Sequence, residues 1–325
     1  MLHSIAEVRQ MIVSGKSLFL AGSAASLAKL PAGNWIGGSI PYFMDVEGGV
    51  CTEDRVFVTE VPTAATNTSI CEYTPQRLSE LYRDAPVNGF SFLLIPNQSP
   101  FLETFARDAS ECEEYLLKPV VGWVTGVAVS AIGKEVGTVV DGRTLTSSTQ
   151  DALVMHVSLP ATLSAEVEII NIFKQGTGDA LTFPESGFSA GECLVNGKVS
   201  NFAQYIASKQ IDTQLPLTAD YSGSILNVSI QSVDLEAGKV HFYAPVFNDI
   251  QYYFADPVGD YTEAFAKAIP DNGEALFSCN CILNYLYGKL EGHHTGGVTG
   301  PITFGEIAHQ LLNQTLVQLR IRNTA

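Results

Sequence analysis

Ile5, Val8, Met11 and Ile12 recur at helical spacing with Glu7 and Arg9 between them, which predicts a short amphipathic helix at the start of the chain. The period then changes. Residues 56–61, 90–95, 120–127, 153–159 and 167–173 are rich in β-branched and aromatic side chains and are bounded by Gly, Pro, Asn or Asp, the pattern of strands. Helical spacing returns at 74–83 and at 101–117, where Leu102, Phe105, Tyr115 and Leu117 alternate with acids and Arg107. Strand and helix mix without a strict βαβ rhythm, so the expected class is α+β with mainly antiparallel or mixed sheets.

Texture shifts at 186–197, where Gly187, Gly191 and the Asn196-Gly197 turn lie close together. A domain boundary is expected near Asn201, dividing the chain into residues 1–200 and 201–325. Beyond it, Asn201 suits the N-cap of a helix to about Ser208. Residues 225–233 and 239–243 read as two strands across a turn, and Asp260 suits the cap of a helix over 261–269 that Pro270 stops. No long periodic repeat is visible. A faint echo between 188–192 and 302–306, both ending Gly-Glu, would suit two related halves.

Composition narrows the partners. Apolar residues make up 46% of 325, enough for one large core or two ordinary ones. A net charge of −16 with no run of Lys or Arg repels phosphate, which argues against nucleic acid and anionic membrane surfaces. No apolar run reaches the roughly 18 to 20 residues that span a bilayer. Residues 17–27 follow Lys16 and have the outline of a secretory signal, but Glu7 opposes this and the segment reads as a strand running into a Gly22 turn. Cys51, Cys71, Cys112, Cys193, Cys279 and Cys281 are too sparse for a disulfide scaffold, so a reducing, cytoplasmic setting is expected.

Candidate chemistry gathers in a few places. On a strand, Cys279 and Cys281 share one face, which would serve redox sensing or thiolate ligation of haem or zinc; buried cysteine acting as a small hydrophobe is the commoner role. His293, His294 and Glu291 lie a dozen residues on, but adjacent histidines point apart more often than they chelate, and no metal site is assigned. Gly187-Phe-Ser-Ala-Gly191 matches a nucleophile elbow at Ser189, with Asp220, Asp234 or Asp260 and His293, His294 or His309 as partners in hydrolase order. The elbow needs a strand before and a helix after, and the flanking residues suggest turn and short strand instead. Glu192 and Glu306 each follow a glycine beside apolar residues and would accept hydrogen bonds from an ammonium or amide. His156 and His241 lie on strand-like segments within reach of a haem iron, or are satisfied core histidines. Phosphate-binding glycine loops do not occur, leaving nucleotide binding without support.

The C-terminal succession is moderately specific. The hairpin of 225–243, Asp256-Pro257 before a helix, Leu276-Phe-Ser-Cys279, Gly305-Glu306 and Asn313-Gln-Thr-Leu316 resemble in order and spacing the C-terminal part of the FIST sensory domain. Gly33-Asn-Trp-Ile-Gly-Gly-Ser39 is similar, more weakly, to that family's N-terminal glycine- and serine-rich turn. The resemblance covers most of 17–321 and implies a two-part, non-enzymatic module that binds a small ligand and acts with a separate signalling protein; some relatives bind haem. It places a ligand cleft between the parts, lined by Trp35, Gly37, Gly38, Ser39 and Tyr42, by Ser278, Cys279 and Asn280, and by Gly305 and Glu306. This sequence departs from the family where Asn227-Val-Ser-Ile230 replaces a strand arginine, where Cys281-Ile282 replaces a Gly-Arg pair, and where Gly-Gly-Ser stands for Gly-Cys-Ser. Without that arginine the bidentate fork for a ligand carboxylate is missing. The rival expectation is a serine or thiol hydrolase using Ser189 or Cys279.

Overall fold

The computed structural model describes residues 1–221, 224–271 and 273–324. Its first 60 residues set out a unit that the rest of the body repeats. Strand β1 (Leu2–Ser4) leads into α1 (Ile5–Val13), whose start is fixed by a capping box between Ser4 and Glu7. A βαβ unit follows, with β2 (Leu18–Gly22), α2 (Ala24–Leu27) and β3 (Trp35–Ser39), its strands parallel. Then come a hairpin, β4 (Tyr42–Asp45) and β5 (Gly48–Cys51), and a return strand, β6 (Arg55–Glu60), antiparallel to β2.

The second unit has the same order. It comprises β7 (Asn67–Tyr73), α3 (Leu78–Asp84), the parallel pair β8 (Gly89–Ile95) and β9 (Val120–Val124) joined through α4 (Pro100–Asp108), the hairpin β10 (Val139–Asp141) and β11 (Thr146–Ser148), and the return strand β12 (Ala152–Ser158). The helix expected over 101–117 stops at Asp108. Glu114 takes a left-handed φ of 63°, and its carbonyl accepts from the amides of Leu117 and Lys118, closing the segment as turns.

A third unit opens with β13 (Leu163–Ile170), which starts and ends earlier than the 167–173 expected, and is then interrupted. The interruption is a lobe of short strands and one helix: β14 (Leu181–Thr182), β15 (Gly187–Ala190), β16 (Glu192–Val195), β17 (Lys198–Asn201), α5 (Phe202–Lys209), β18 (Leu217–Tyr221), β19 (Ser224–Val228), β20 (Ile230–Asp234), β21 (Lys239–Val246) and β22 (Tyr253–Phe254). The chain re-enters the body beside its exit, where Gln175 bridges Ala255 and the Asp256 amide donates to the Lys174 carbonyl. The unit then completes itself with α6 (Tyr261–Ala268), β23 (Phe277–Cys281), α7 (Ile282–Tyr287), β24 (Gly300–Thr303), the hairpin β25 (Glu306–Ala308) and β26 (Gln310–Leu312), and the return strand β27 (Leu316–Asn323).

Each unit builds a six-stranded sheet around its parallel pair, and each lends its hairpin to another unit's sheet. The orders are β1-β6-β2-β3-β10-β11, β7-β12-β8-β9-β25-β26 and β13-β27-β23-β24-β4-β5. The exchange closes as a ring of three, so β3, β9 and β24 have no open edge. The echo of two halves is thus replaced by a threefold repeat of topology, and the 188–192 segment of that echo lies in the lobe. The sheets are mixed, with strand outweighing helix at 41% to 19%, and the class is α+β.

The three sheets pack on one core. Phe19 of β2 stacks on Phe92 of β8 at 3.8 Å between ring centroids, and Phe92 meets Phe277 of β23 edge-on at 4.7 Å, so every unit contributes an aromatic ring to the centre. The lobe has its own core, in which Phe183, Phe202, Phe242 and Tyr252 pack together. That cluster runs from Leu181 to Tyr252, so no break in packing falls at Asn201; Asn201 caps α5 inside the lobe by accepting from the Gln204 amide. Among the described residues no helix is long and apolar enough to cross a membrane.

His156 of β12 lies in the body with both ring nitrogens engaged, one by Ser91 Oγ at 2.8 Å and the other by Tyr73 OH at 2.9 Å, and Tyr73 continues to Asp84. Burial pushes its pKa down to about 4, against the weaker opposing charge of Asp84. The unfolded chain therefore binds this proton first as pH falls, and stability drops between pH 6.5 and 4. The expected loss is roughly 3 kcal/mol at most. Urea unfolding of wild type and His156→Gln at pH 7 and pH 4.5 checks this: the variant keeps polar partners for Ser91 and Tyr73 and should lose less on acidification.

Candidate functional site

The carboxyl ends of the three parallel pairs converge. Just past β3, β9 and β24, the chain passes through Ile40, Gly126 and Phe304, which meet closely enough that a Cβ on Gly126 would lie 2.5 Å from Phe304 and 2.8 Å from Ile40. Ser39 Oγ donates to the Gly126 carbonyl, the Gly126 amide donates to the Ser39 carbonyl, and the Val124 amide donates to the Gly305 carbonyl. Ligands in open sheets containing parallel strands bind outside such carboxyl ends, where the chain turns away and leaves a crevice.

A cavity of about 430 Å³ opens there, between the second and third units. Its floor is made by Asn97 after β8, Val124 and Val127 at the end of β9, Cys281 at the end of β23 with Leu283 after it, and Phe304 after β24. The roof is the lobe, through Phe188 of β15 and His241, Phe242 and Tyr243 of β21. The first unit supplies no lining residue but braces the wall, since Tyr42 OH accepts the Val129 amide at 2.9 Å and the Tyr42 ring packs on Tyr285. The site thus falls where the threefold repeat is broken by the one inserted lobe.

Behind the floor runs a buried polar seam. Glu306, fully buried at the start of β25, accepts from both the amide and the hydroxyl of Thr315 at 3.1 and 2.8 Å. The seam reaches the lobe through the neighbouring turn: Asn227 Nδ2 donates to the carbonyls of Asn313 and Gln314, the Ser229 amide to Asn313 Oδ1, and Ser229 Oγ to Gln314 Oε1. Asn280 and Asn284 extend it, with Asn284 Nδ2 donating to Asn280 Oδ1 at 2.9 Å. Burial pushes the Glu306 pKa up to about 8, against the hydrogen bonds from Thr315.

Cys279 and Cys281 share a face of β23, as their spacing requires, and both are buried. Burial first, and the Glu306 charge second, push both thiols well above the ordinary range, so they are protonated at neutral pH and poor nucleophiles. Cys279 lies 3.6 Å from the Gly122 carbonyl, away from the cavity, whereas Cys281 is at its floor. Among the described residues no hydrogen bond joins either thiol to a histidine.

The other expected residues separate into two groups. Ser39, Asn280, Gly305 and Glu306 sit at the convergence or in the seam, and Ser278 Oγ donates to the Thr299 carbonyl beside it. Trp35 faces a different core with Leu27 and Val140, its Nε1 donating to the Pro31 carbonyl. Gly37 packs on Leu27, and Gly38 on the Trp123 indole. Ser189 is exposed on β15, which runs into β16, so the strand-turn-helix of a nucleophile elbow does not form. Its proposed partners are dispersed: Asp234 holds the β20–β21 turn, Asp260 caps α6, and His293 and His294 are exposed on a loop. Haem fits poorly. His156 is already bonded at both nitrogens, and among the described residues no Lys or Arg lines the cavity beside His241 to meet propionates. What the sequence reading missed is the second unit's share, Asn97 and Val124 to Val129, although a strand was expected just before Asn97 and another, 120–127, over most of the second stretch.

Fold and site together define an α+β protein whose threefold-repeated body carries a lobe over an interior cavity. The chain belongs to DUF6976, a family of unknown function, whose family model matches residues 3–322 and so takes in all three units and the lobe. A search of curated proteins finds no match.

Proposed function

We propose that this protein is a small-molecule-binding sensor of the FIST kind that holds its ligand in the cavity between the body and the lobe. One observation carries the reading: the cavity lies outside the carboxyl ends of two parallel strand pairs and is roofed by a lobe with a separate core. Its volume and largely apolar walls are those of small-ligand sites. A ligand touching floor and roof favours the closed arrangement of the lobe, and a separate signalling protein reads the altered surface. The neck at Gln175 and Ala255 gives the lobe a short two-stranded attachment on which to move. Six free cysteines support a reducing, cytoplasmic setting.

Fragment screening by ligand-observed NMR tests the site. Bound fragments should lose contact with an Ile132→Trp variant, because Ile132 is exposed at the cavity mouth and a larger side chain there blocks entry without entering the core. Equal binding to both proteins would place the ligand elsewhere.

A further inference from the structure

The charge and shape of this cavity specify the chemistry of its occupant; the inference rests on the binding reading above. The charged side chains that line it are Glu103 on α4 and Glu135 on the loop after β9, and no Lys or Arg accompanies them among the described residues. Of the nearest bases in sequence, Arg107 is held chiefly by Asp108 through two hydrogen bonds, with the Glu103 charge a lesser influence on it, and neither Arg107 nor Lys134 lines the wall. Neither glutamate forms an ion pair among the described residues. Both are exposed, which places them at the mouth, where a charged group remains partly hydrated.

Deeper in, the walls are mainly apolar and aromatic, with Val124, Leu283, Phe242 and Phe304 buried or half-buried beside the buried amide side chains of Asn97 and Asn313. Val129, Ile132, Tyr243 and Leu286, large apolar side chains left exposed, continue this surface around the opening. Exposed apolar side chains gathered at one cavity mouth mark a surface that an apolar body covers. An anionic ligand would meet two carboxylates and, among the described residues, no Lys or Arg on the lining, in a protein of net charge −16. A cation would meet two carboxylates and aromatic faces at once.

We propose that the cavity takes an amphipathic amine, its aliphatic or aromatic body against Val124, Leu283 and Phe304 and its ammonium at the mouth beside Glu103 and Glu135. A free carboxylate on the ligand is excluded by the same groups.

Calorimetric titration with phenylbutylamine, phenylbutanol and phenylbutyrate separates the charge inference from the existence of the site. The amine should bind about tenfold more tightly than the alcohol, an increment of one mouth-exposed ion pair with aromatic contact, and the carboxylate more weakly than either. In Glu103→Gln/Glu135→Gln the amine should fall to the level of the alcohol while the alcohol is unchanged, a readout that a folding defect would not mimic. Equal binding of all three, or an amine preference that survives both substitutions, overturns the proposal and leaves the binding reading standing. Failure of the alcohol as well as the amine removes both.

Discussion

Gly122→Ala should be the most damaging single-methyl addition in the body, lowering stability by upwards of about 4 kcal/mol. Gly122 sits mid-strand in β9 with φ 157°, and a Cβ there would lie 1.8 Å from the Leu93 carbonyl oxygen and 2.7 Å from its carbon. These are backbone atoms of the parallel partner β8, so no side-chain rotation relieves the overlap; the two strands must part. β9 also carries β25 on its other edge, and parting it from β8 disturbs the hairpin exchange that ties the second unit to the third. The same approach recurs in the third unit, where a Cβ on Gly300 would lie 1.9 Å from the Ser278 carbonyl oxygen. Gly197→Ala is the control: its φ is 80° but nothing lies within 4 Å, so it should cost only the strain of a left-handed alanine, about 1 kcal/mol. Urea denaturation of the two variants beside wild type measures the difference. Near-equal losses would mean that β8 and β9 tolerate separation.

Much of the local structure was legible in the sequence because local chemistry decides it. The expected capping residues Asn201 and Asp260 each start a helix where their side chains accept a first-turn amide. β8 is buried along its whole length, and its uninterrupted Phe-Ser-Phe-Leu-Leu-Ile run announces a central strand. The threefold repeat was not legible, since it consists of strand order and hairpin exchange and not of residue identity. β4 pairs with β24 across more than 250 positions, and nothing in the texture of either segment names its partner. The lobe was not legible either, for a related reason. The glycine turns near 186–197 look like a boundary, yet they are turns within a small sheet domain, and the true breaks are at its neck, where Lys174 meets Asp256. At the site, none of the ten residues expected to line a cleft lines the cavity, although Ser39 and Gly305 meet the chain after β9 beside it, and the contribution of β9 was hidden because Val127 and Val129 carry no chemistry that sequence alone distinguishes from core.

Glu306→Gln should make the protein more stable at alkaline pH, an unusual sign for the loss of a buried hydrogen-bonded acid. In the native state the Glu306 pKa stands at about 8, raised by burial, while in the unfolded chain it returns to its ordinary 4.5. The native protein therefore binds more protons than the unfolded chain between these values. The stability that the protonated form provides is fully present below pH 4.5 and is lost as pH rises towards 8. Over the whole interval this amounts to on the order of 5 kcal/mol, at about 1.4 kcal/mol per pH unit. His156 acts with the opposite sign between pH 4 and 6.5, so the two partly cancel on the acid side and leave the alkaline side to Glu306. From pH 6.5 to 8 wild type should lose about 2 kcal/mol. The Gln variant should stay level, because its amide is shaped like the protonated acid and keeps an oxygen for the Thr315 amide and hydroxyl. The effect reaches the lobe, since Thr315 adjoins Gln314 and Asn313, which hold Ser229 and Asn227. Hydrogen exchange of the Ser229 amide should accordingly rise beyond the intrinsic base catalysis between pH 6.5 and 8 in wild type, and follow the intrinsic rate alone in Glu306→Gln. Parallel pH profiles for the two proteins would mean that Glu306 does not change protonation in this range and that the seam is indifferent to its charge.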